Sequence, residues 1–274
     1  MTTTAEAQVR ESATEYRRAS VSLWTQGTML SRSLLTAWLR DPALLVQAIV
    51  FPVFLLLMFR IVFGDSTSAL GAGNSIYRFA ALVALVGAVQ GTLMTGMYLA
   101  EERAQGLVGR LWTLPVPRAG FLTGRLIAEA VRIVLSTVVI YAVAFALGLR
   151  FSVGIVPGIA ALLLPVLFGI SWALLVIAVA TVAGRAQIEQ LGVPFLLLMF
   201  FTTGFAPADQ YPGWLQPIVR YQPMSTATDA MAGLTSGGAV ATPLLLTVAW
   251  TAGLSILLGA LATRGYRRAA QTSI

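Results

Sequence analysis

The chain has 274 residues, of which 57% are hydrophobic and only 11% carry a charge. Together with a mean hydropathy of +0.81, this composition lies far outside the range of soluble globular domains and predicts that lipid surrounds most of the protein. The sequence contains no cysteine and no histidine, which excludes a disulfide framework and removes the commonest metal ligand and general base.

The positive charge of the chain is carried entirely by arginine. All 18 basic residues are arginines, and the formal net charge is +7. A Walker A motif requires a lysine, so we expect no cofactor in this chain, and any ATP and magnesium would be held by a separate subunit. The arginines cluster at the ends of apolar runs and form no single basic stripe, which argues against nucleic acid as a partner.

Six apolar runs are predicted to cross the membrane, because a bilayer-spanning helix needs about 20 apolar residues. They are residues 43–63, 79–100, 131–149, 155–182, 191–205 and 243–263. The fifth run is short and contains Pro194. The chain is therefore predicted to be an all-α integral membrane protein with six transmembrane helices, formed by residues 1–274 as a single transmembrane domain.

The arginine distribution predicts the orientation of these helices. If both termini lie in the cytoplasm, 14 arginines fall on the inner side and 4 on the outer side, as the positive-inside rule expects. Five crossings would place the three C-terminal arginines outside and give a poorer balance. We therefore predict an N-in, C-in protein of the bacterial cytoplasmic (inner) membrane.

Residues 16–41 are predicted to form an amphipathic helix at the inner interface, in contact with membrane lipid. Apolar side chains, including Leu34, Leu35 and Trp38, recur at helical spacing on one face, the pattern of a helix that lies in the plane of the membrane. Asp41-Pro42 is expected to end this helix, because the residue before a proline is disfavoured in the helical conformation. The helix could serve as an anchor or as a contact for a soluble partner, and the sequence favours neither.

A second segment that does not span lies between the fifth and sixth runs, on the outer side. It contains Tyr211, Trp214 and Pro217 among other prolines. Tyrosine and tryptophan favour the headgroup level of a bilayer. The segment is predicted to be interfacial or re-entrant, either as a plain aromatic loop or as an outer gate.

Residues 101–118 form the most informative segment, directly after the second run. Glu101, Glu102 and Arg103 mark the exit from lipid, Gly106 weakens the helix, and Pro115 with its neighbour Pro117 stops the next one. Between the glycine and the prolines, the sequence predicts a short helix parallel to the membrane with an apolar edge. The edge consists of Leu107, Leu111, Trp112 and Leu114. On charge pattern alone, the acidic cluster would be a solvated helix end.

Two sets of charged residues at the inner boundary have helical spacing. Arg125, Glu129 and Arg132 form one set, and Arg185 with Glu189 forms the other. Both are predicted to be ion pairs within a helix, and a proton relay is the less favoured interpretation.

With these motifs in place, the sequence resembles ABC-2 type permeases, close to the daunorubicin-resistance type of exporter subunit and its actinobacterial lipid-export relatives. The resemblance extends over nearly the whole chain, and the block from Glu101 to Arg118 is its strongest motif. Weaker matches are Arg40-Asp41-Pro42, Phe51-Pro52, Phe63-Gly64, Tyr211-Pro212-Gly213-Trp214, Gln216-Pro217, Gln222-Pro223-Met224 and residues 229–234.

The resemblance implies a permease whose short cytoplasmic helix docks into a groove on an ABC ATPase subunit. It further implies a second permease subunit, identical or related, so that two ATPases and two six-helix bundles form the transporter. The residues that would inherit the ATPase-coupling role are Glu101, Glu102, Arg103, Gly106, Arg110, Leu111, Trp112 and Pro115.

Other function classes fit the sequence less well. A transporter driven by an ion gradient would keep an acid or a histidine deep inside a span, and an enzyme would need a nucleophile with a base. We expect no buried aspartate or glutamate in the spans, so neither class is favoured. The predicted function is therefore a non-enzymatic permease that exports an amphipathic drug-like or lipidic substrate, and the alternative is a membrane scaffold or receptor subunit.

Overall fold

The computed structural model describes residues 23–42, 46–69, 75–106, 118–180 and 182–271. All the regular structure in these ranges is helical, as predicted. The α-helices are α1 (Leu23–Arg40), α2 (Phe51–Ala69), α3 (Ser75–Ala104), α4 (Arg118–Ala146), α5 (Ile155–Ala180), α6 (Arg185–Gln190), α7 (Gly192–Phe200), α8 (Gln216–Tyr221), α9 (Pro223–Ser236) and α10 (Ala241–Gln271).

Within the described residues, four helices are long and apolar enough to cross a membrane. These candidate spans are Ile76–Ala104, Leu122–Ala146, Ile155–Ala180 and Ala241–Ala260. They correspond to the second, third, fourth and sixth predicted runs. The third begins earlier than predicted, since α4 starts at Arg118.

The first predicted run is a shorter apolar helical stretch, Val46–Val62. It begins with a π-helical turn, Val46–Val50, before α2 continues from Phe51. Pro52 has no amide hydrogen to donate to the carbonyl four residues earlier. Because that hydrogen bond is missing, the helix can widen here from an α-helical to a π-helical turn without losing a bond.

The fifth predicted run, 191–205, is not one continuous helix. It is divided between α6, which ends at Gln190, and α7, which covers only Gly192–Phe200. Nine residues of α-helix rise about 13 Å, less than half of a bilayer core. Pro194 lies in the first turn of α7, where a proline costs no helical hydrogen bond and favours the start of a new helix.

Helix α3 lies at the centre of the bundle. Its most apolar window is 83% buried, compared with 17% for α10 at the periphery. Close packing on α3 is visible at Gly87, where an added Cβ would lie 3.2 Å from Cγ of Pro52 on α2. A run of small side chains therefore allows α2 and its neighbours to approach the α3 backbone closely.

The contacts of α3 define two ends of the bundle, named here the Arg78 end and the Glu101 end. Arg185, which opens α6, forms an ion pair with Glu101, whereas the carbonyl of Thr203, just after α7, accepts a hydrogen bond from Arg78. The stretch from α6 through α7 thus runs between opposite ends of α3, although its helix is broken.

Helix α1 packs against α4, as expected of an amphipathic helix with one apolar face. Trp38 is buried, while Arg32 and Arg40 are exposed. The helix ends at Arg40, and the Asp41 amide donates to the carbonyl of Trp38 at 3.2 Å, which confirms the predicted end at Asp41-Pro42. Residues 16–22 of the predicted helix lie outside the described residues.

Candidate functional site

Three consecutive charged residues at the end of α3 bind three different helices. Glu101 forms an ion pair with Arg185 of α6, and Glu102 forms one with Arg125 of α4. A guanidinium nitrogen of Arg103 donates to the carbonyl of Ala180, the last residue of α5, at 3.1 Å and to that of Ala183, just beyond the helix, at 3.3 Å. This cluster joins four helices at one level and is not the solvated helix end that charge pattern alone suggests.

The individual bonds of this cluster differ in strength. Arg185 is exposed and also pairs with Glu189 at 3.0 Å, and the pKa of its guanidinium is raised because Glu189 and Glu101 stabilise the charged form. Exposed pairs of this kind are held weakly because water screens them. Arg103 is better placed, since a cation at a helix C-terminus satisfies carbonyls that have no helical partner.

Gly106 lies in the turn that follows α3. Its φ angle is +73°, in the left-handed region, and its amide donates to the carbonyl of Arg103 at 3.0 Å. A left-handed glycine is a common helix terminator. The other predicted coupling residues, Arg110, Leu111, Trp112 and Pro115, lie outside the described residues, as do Leu107 and Leu114. The coupling role of the segment therefore stays a prediction.

A buried ion pair lies on α4 beside this cluster. Arg132 donates from Nε at 2.9 Å and from Nη2 at 2.7 Å to Oε2 of Glu129, and Nη2 also donates to the carbonyl of Ala88 at 2.9 Å. Both side chains are at least 95% buried. The guanidinium lies against Gly91 of α3, where even a Cβ would overlap it.

These contacts confirm part of the predicted charge pairing and correct the rest. The pairs Glu129 with Arg132 and Arg185 with Glu189 lie within helices, as predicted. Arg125 instead reaches across to Glu102 on α3. The expectation of no buried acid in the spans is wrong, because α4 begins earlier than predicted and carries Glu129 into the bundle.

The predicted outer segment is compact at the Arg78 end. The hydroxyl of Tyr211 donates to the carbonyls of Thr202 at 3.0 Å and Phe200 at 3.4 Å, and burial raises the pKa of this tyrosine. Trp214 is 74% exposed, and Pro217 lies exposed in the first turn of α8. Tyr211 thus binds the segment to the end of α7 and the residues after it, while the side chain of Trp214 is exposed.

The sequence did not reveal the ion pair that holds α9 in place. Arg78 donates to Oδ1 of Asp229 at 2.7 Å and to the carbonyl of Thr203 at 2.9 Å. The amide of Thr203 in turn donates to the Ser225 hydroxyl oxygen at 3.1 Å. The one available signal was Asp229 itself, a single acid within the otherwise uncharged stretch 223–236.

Comparison with known proteins places this architecture in a family. Residues 25–235 match the family described as ABC-2 type transporter. The chain is 34% identical over 271 residues to a probable doxorubicin resistance ABC transporter permease protein, DrrC, of Mycobacterium tuberculosis, and the match covers 98% of both chains. It is 28% identical over 233 residues to the daunorubicin resistance ABC transporter permease protein DrrB1 of Streptomyces coeruleorubidus, covering 82% of this chain and 80% of that one. The chain therefore belongs to the ABC-2 type transporter family of membrane permeases.

Proposed function

We propose that the chain is the permease subunit of an ATP-driven exporter in the bacterial cytoplasmic membrane. A separate ABC ATPase subunit binds and hydrolyses ATP with magnesium, and a second permease subunit, identical or related, completes the transporter. The substrate is an amphipathic drug-like or lipidic molecule that moves outward, across the membrane or into its outer leaflet.

The observation that carries this proposal is the connection of four helices at the Glu101 end. Glu101, Glu102 and Arg103 bind α6, α4 and α5, and the predicted docking segment begins immediately after them at Gly106. A displacement of the docking segment by a closing ATPase would therefore act on all four helices together. Such a connection suits a bundle with two arrangements whose balance depends on nucleotide.

Six membrane crossings, with both termini in the cytoplasm, account for the positions of the Arg78 end and the Glu101 end of the bundle. The stretch from Arg185 to Thr203 joins the two ends of α3 and supplies the fifth crossing in two short helices. The outer segment and the start of α10 then belong to the outer side. This orientation agrees with the arginine distribution of 14 inside and 4 outside.

The proposed substrate class is supported by composition and by similarity. The bundle offers many apolar surfaces and few charges, which suits a molecule that partitions into lipid better than a sugar or an inorganic ion. The names of the two relatives refer to resistance to the drugs doxorubicin and daunorubicin. We extend the amphipathic character of such compounds to this chain as part of the proposal.

Co-purification with the ATPase encoded beside this gene tests the proposal. We expect the wild-type chain to retain that ATPase in mild detergent, and Arg110→Glu to lose it because the charge lies in the predicted docking helix. Arg220→Glu is the matched control, since Arg220 is an exposed arginine of α8 in the outer segment.

The variants should all elute as folded protein in size-exclusion chromatography. If the folded wild type retains no ATPase, the exporter proposal is wrong and a scaffold or receptor subunit becomes the better interpretation. If Arg110→Glu retains the ATPase and supports full export, the docking assignment is wrong although the exporter remains.

A further inference from the structure

A cavity of about 150 Å³ lies at the Glu101 end between α1, α3 and α4. Its α1 side is apolar and is lined by Leu34, Leu35 and Trp38, while the opposite side carries polar groups of α3 and α4. Cavities of about this volume accept a ligand the size of benzene. The cavity is therefore large enough for the polar end of an amphipathic molecule and the first part of its apolar body.

The hydroxyl groups of the wall can accept hydrogen bonds from a ligand but have no hydrogen left to donate. The Thr95 hydroxyl donates to the carbonyl of Gly91 at 3.0 Å, and the Tyr98 hydroxyl donates to Oδ2 of Asp41 at 2.7 Å. Because each hydroxyl has one hydrogen and two lone pairs, both oxygens present acceptor sites to the cavity.

The buried ion pair adds a further acceptor. Both side-chain bonds from Arg132 end on Oε2 of Glu129. Among the described residues, Oε1 of Glu129 takes part in no hydrogen bond. The nitrogens Nε and Nη2 of Arg132 are engaged by that carboxylate and by the Ala88 carbonyl, and Nη1 donates to the Gly87 carbonyl at 3.5 Å. This guanidinium therefore has little capacity to bind an anion.

The charge of the described wall also favours a cation. Three carboxylates, those of Asp41, Glu102 and Glu129, face two guanidiniums, those of Arg125 and Arg132. Each guanidinium has a glutamate partner. Neither guanidinium is therefore left to attract an anion. The indole of Trp38 and the phenol ring of Tyr98 also line the cavity, and aromatic rings attract cations through their faces.

We propose that this cavity binds an amphipathic ammonium ion. The ammonium hydrogens are donated to Thr95, Tyr98 and Oε1 of Glu129, and the apolar body lies along α1 beside Trp38. As a site for an exported substrate, the cavity rests on the proposed exporter function and narrows the substrate class of that exporter. Binding of the ammonium ion itself requires no ATPase. The ammonium group could belong to a lipid with an ethanolamine headgroup or to an amine that is exported.

Binding can be measured on the full chain without its partners. The chain would be placed in nanodiscs of phosphatidylcholine, which has no N–H donor, and titrated with radiolabelled dodecylamine or with dodecanol, using empty nanodiscs to subtract partitioning. We expect the wild type to bind dodecylamine in excess of the blank and to bind dodecanol much more weakly.

Thr95→Val should weaken dodecylamine binding about tenfold, the effect of losing one hydrogen bond to a charged group. Tyr98→Phe provides a second, independent variant should the first fail to fold. Thr251→Val is the matched control, because this buried hydroxyl of α10 also donates to a helix carbonyl, that of Thr247 at 2.9 Å, but lines neither this cavity nor the small one beside it.

Equal binding of amine and alcohol, or unchanged amine affinity in both folded variants, would overturn the proposal. Competition by nanodiscs that contain phosphatidylethanolamine would support the site and identify its ligand as a lipid. Binding that this lipid does not displace would support the site as one for an amine from solution. Loss of amine binding leaves ATPase capture unaffected, so failure here is distinguishable from failure of the exporter proposal.

Discussion

At the scale of single residues, Gly91 determines how closely α4 can approach α3. The guanidinium of Arg132 occupies the space where a side chain at position 91 would begin. We expect Gly91→Ala to lower the free energy of unfolding by about 1–3 kcal/mol, the usual cost of overpacking, because Arg132 would have to leave its carbonyl and carboxylate partners.

The midpoint of thermal unfolding in detergent measures this effect. Gly253→Ala is the matched control, since no atom lies within 4 Å of a Cβ added there. In a helix interior this replacement should be neutral or favourable by about 0.5–1 kcal/mol. An equal shift of the midpoint in both variants would contradict the close packing inferred at Gly91.

The buried pair of Glu129 and Arg132 makes a second prediction at this scale. Replacing only one partner leaves an uncompensated buried charge, so Glu129→Leu should cost about 3–5 kcal/mol. The double variant Glu129→Leu/Arg132→Met should recover most of that loss, because the remaining charge is removed and the volume is kept. A double-mutant cycle of unfolding midpoints checks this, and purely additive losses would show that the two residues are not coupled.

Sequence spacing could identify some of these contacts and not others. Glu129 and Arg132 lie three residues apart on one helix, so helical periodicity was sufficient to predict their ion pair. Arg125 has the same kind of spacing to Glu129, yet its partner Glu102 lies on another helix. The 151 residues that separate Arg78 from Asp229 leave no local pattern at all, and only the folded chain brings them together.

At the scale of helices, the link between α3 and α6 can be separated from the proposed docking role. Glu101→Arg places two arginines side by side, and the double variant Glu101→Arg/Arg185→Glu restores an ion pair with reversed polarity. We expect the double variant to recover only part of the unfolding midpoint, because Arg185→Glu also removes the ion pair with Glu189. ATPase stimulation should not recover, because the charge presented beside the docking segment is still reversed. The change in stability itself should be small, because the pair is exposed and water screens it.

Stimulated ATPase activity of the reconstituted complex is the measurement. Arg220→Glu, a charge reversal at an exposed residue of the outer segment, is the control and should retain that stimulation. Recovery of stimulation by the Glu101/Arg185 swap would assign this pair a purely internal role in joining α3 to α6.

The helix boundaries illustrate what an apolar pattern can predict. Long runs such as α3 and α5 are visible because hydropathy alone distinguishes them. The break between α6 and α7 is less visible, since residues 191–205 are almost uniformly apolar and only Gly192 and Pro194 signal a new helix. The π-helical turn before Pro52 depends on hydrogen bonds that hydropathy does not report.

At the scale of the whole molecule, the positions of Gln105 and Trp214 provide a test of six crossings. Gln105 is exposed at the Glu101 end and Trp214 is exposed in the outer segment. The broken stretch α6–α7 passes between the two ends of α3, so the two residues should face opposite sides of the membrane. Because the natural chain has no cysteine, Gln105→Cys and Trp214→Cys each carry a single thiol.

Labelling of oriented vesicles with a membrane-impermeant maleimide measures which side of the membrane each thiol faces. We expect Trp214→Cys to react in right-side-out vesicles and Gln105→Cys to react in inverted ones, and both to react after detergent is added. The wild-type chain is the blank for background labelling. Reaction of both thiols from the same side would mean that α6 and α7 enter the bilayer and return, because an even number of crossings would then separate the two positions.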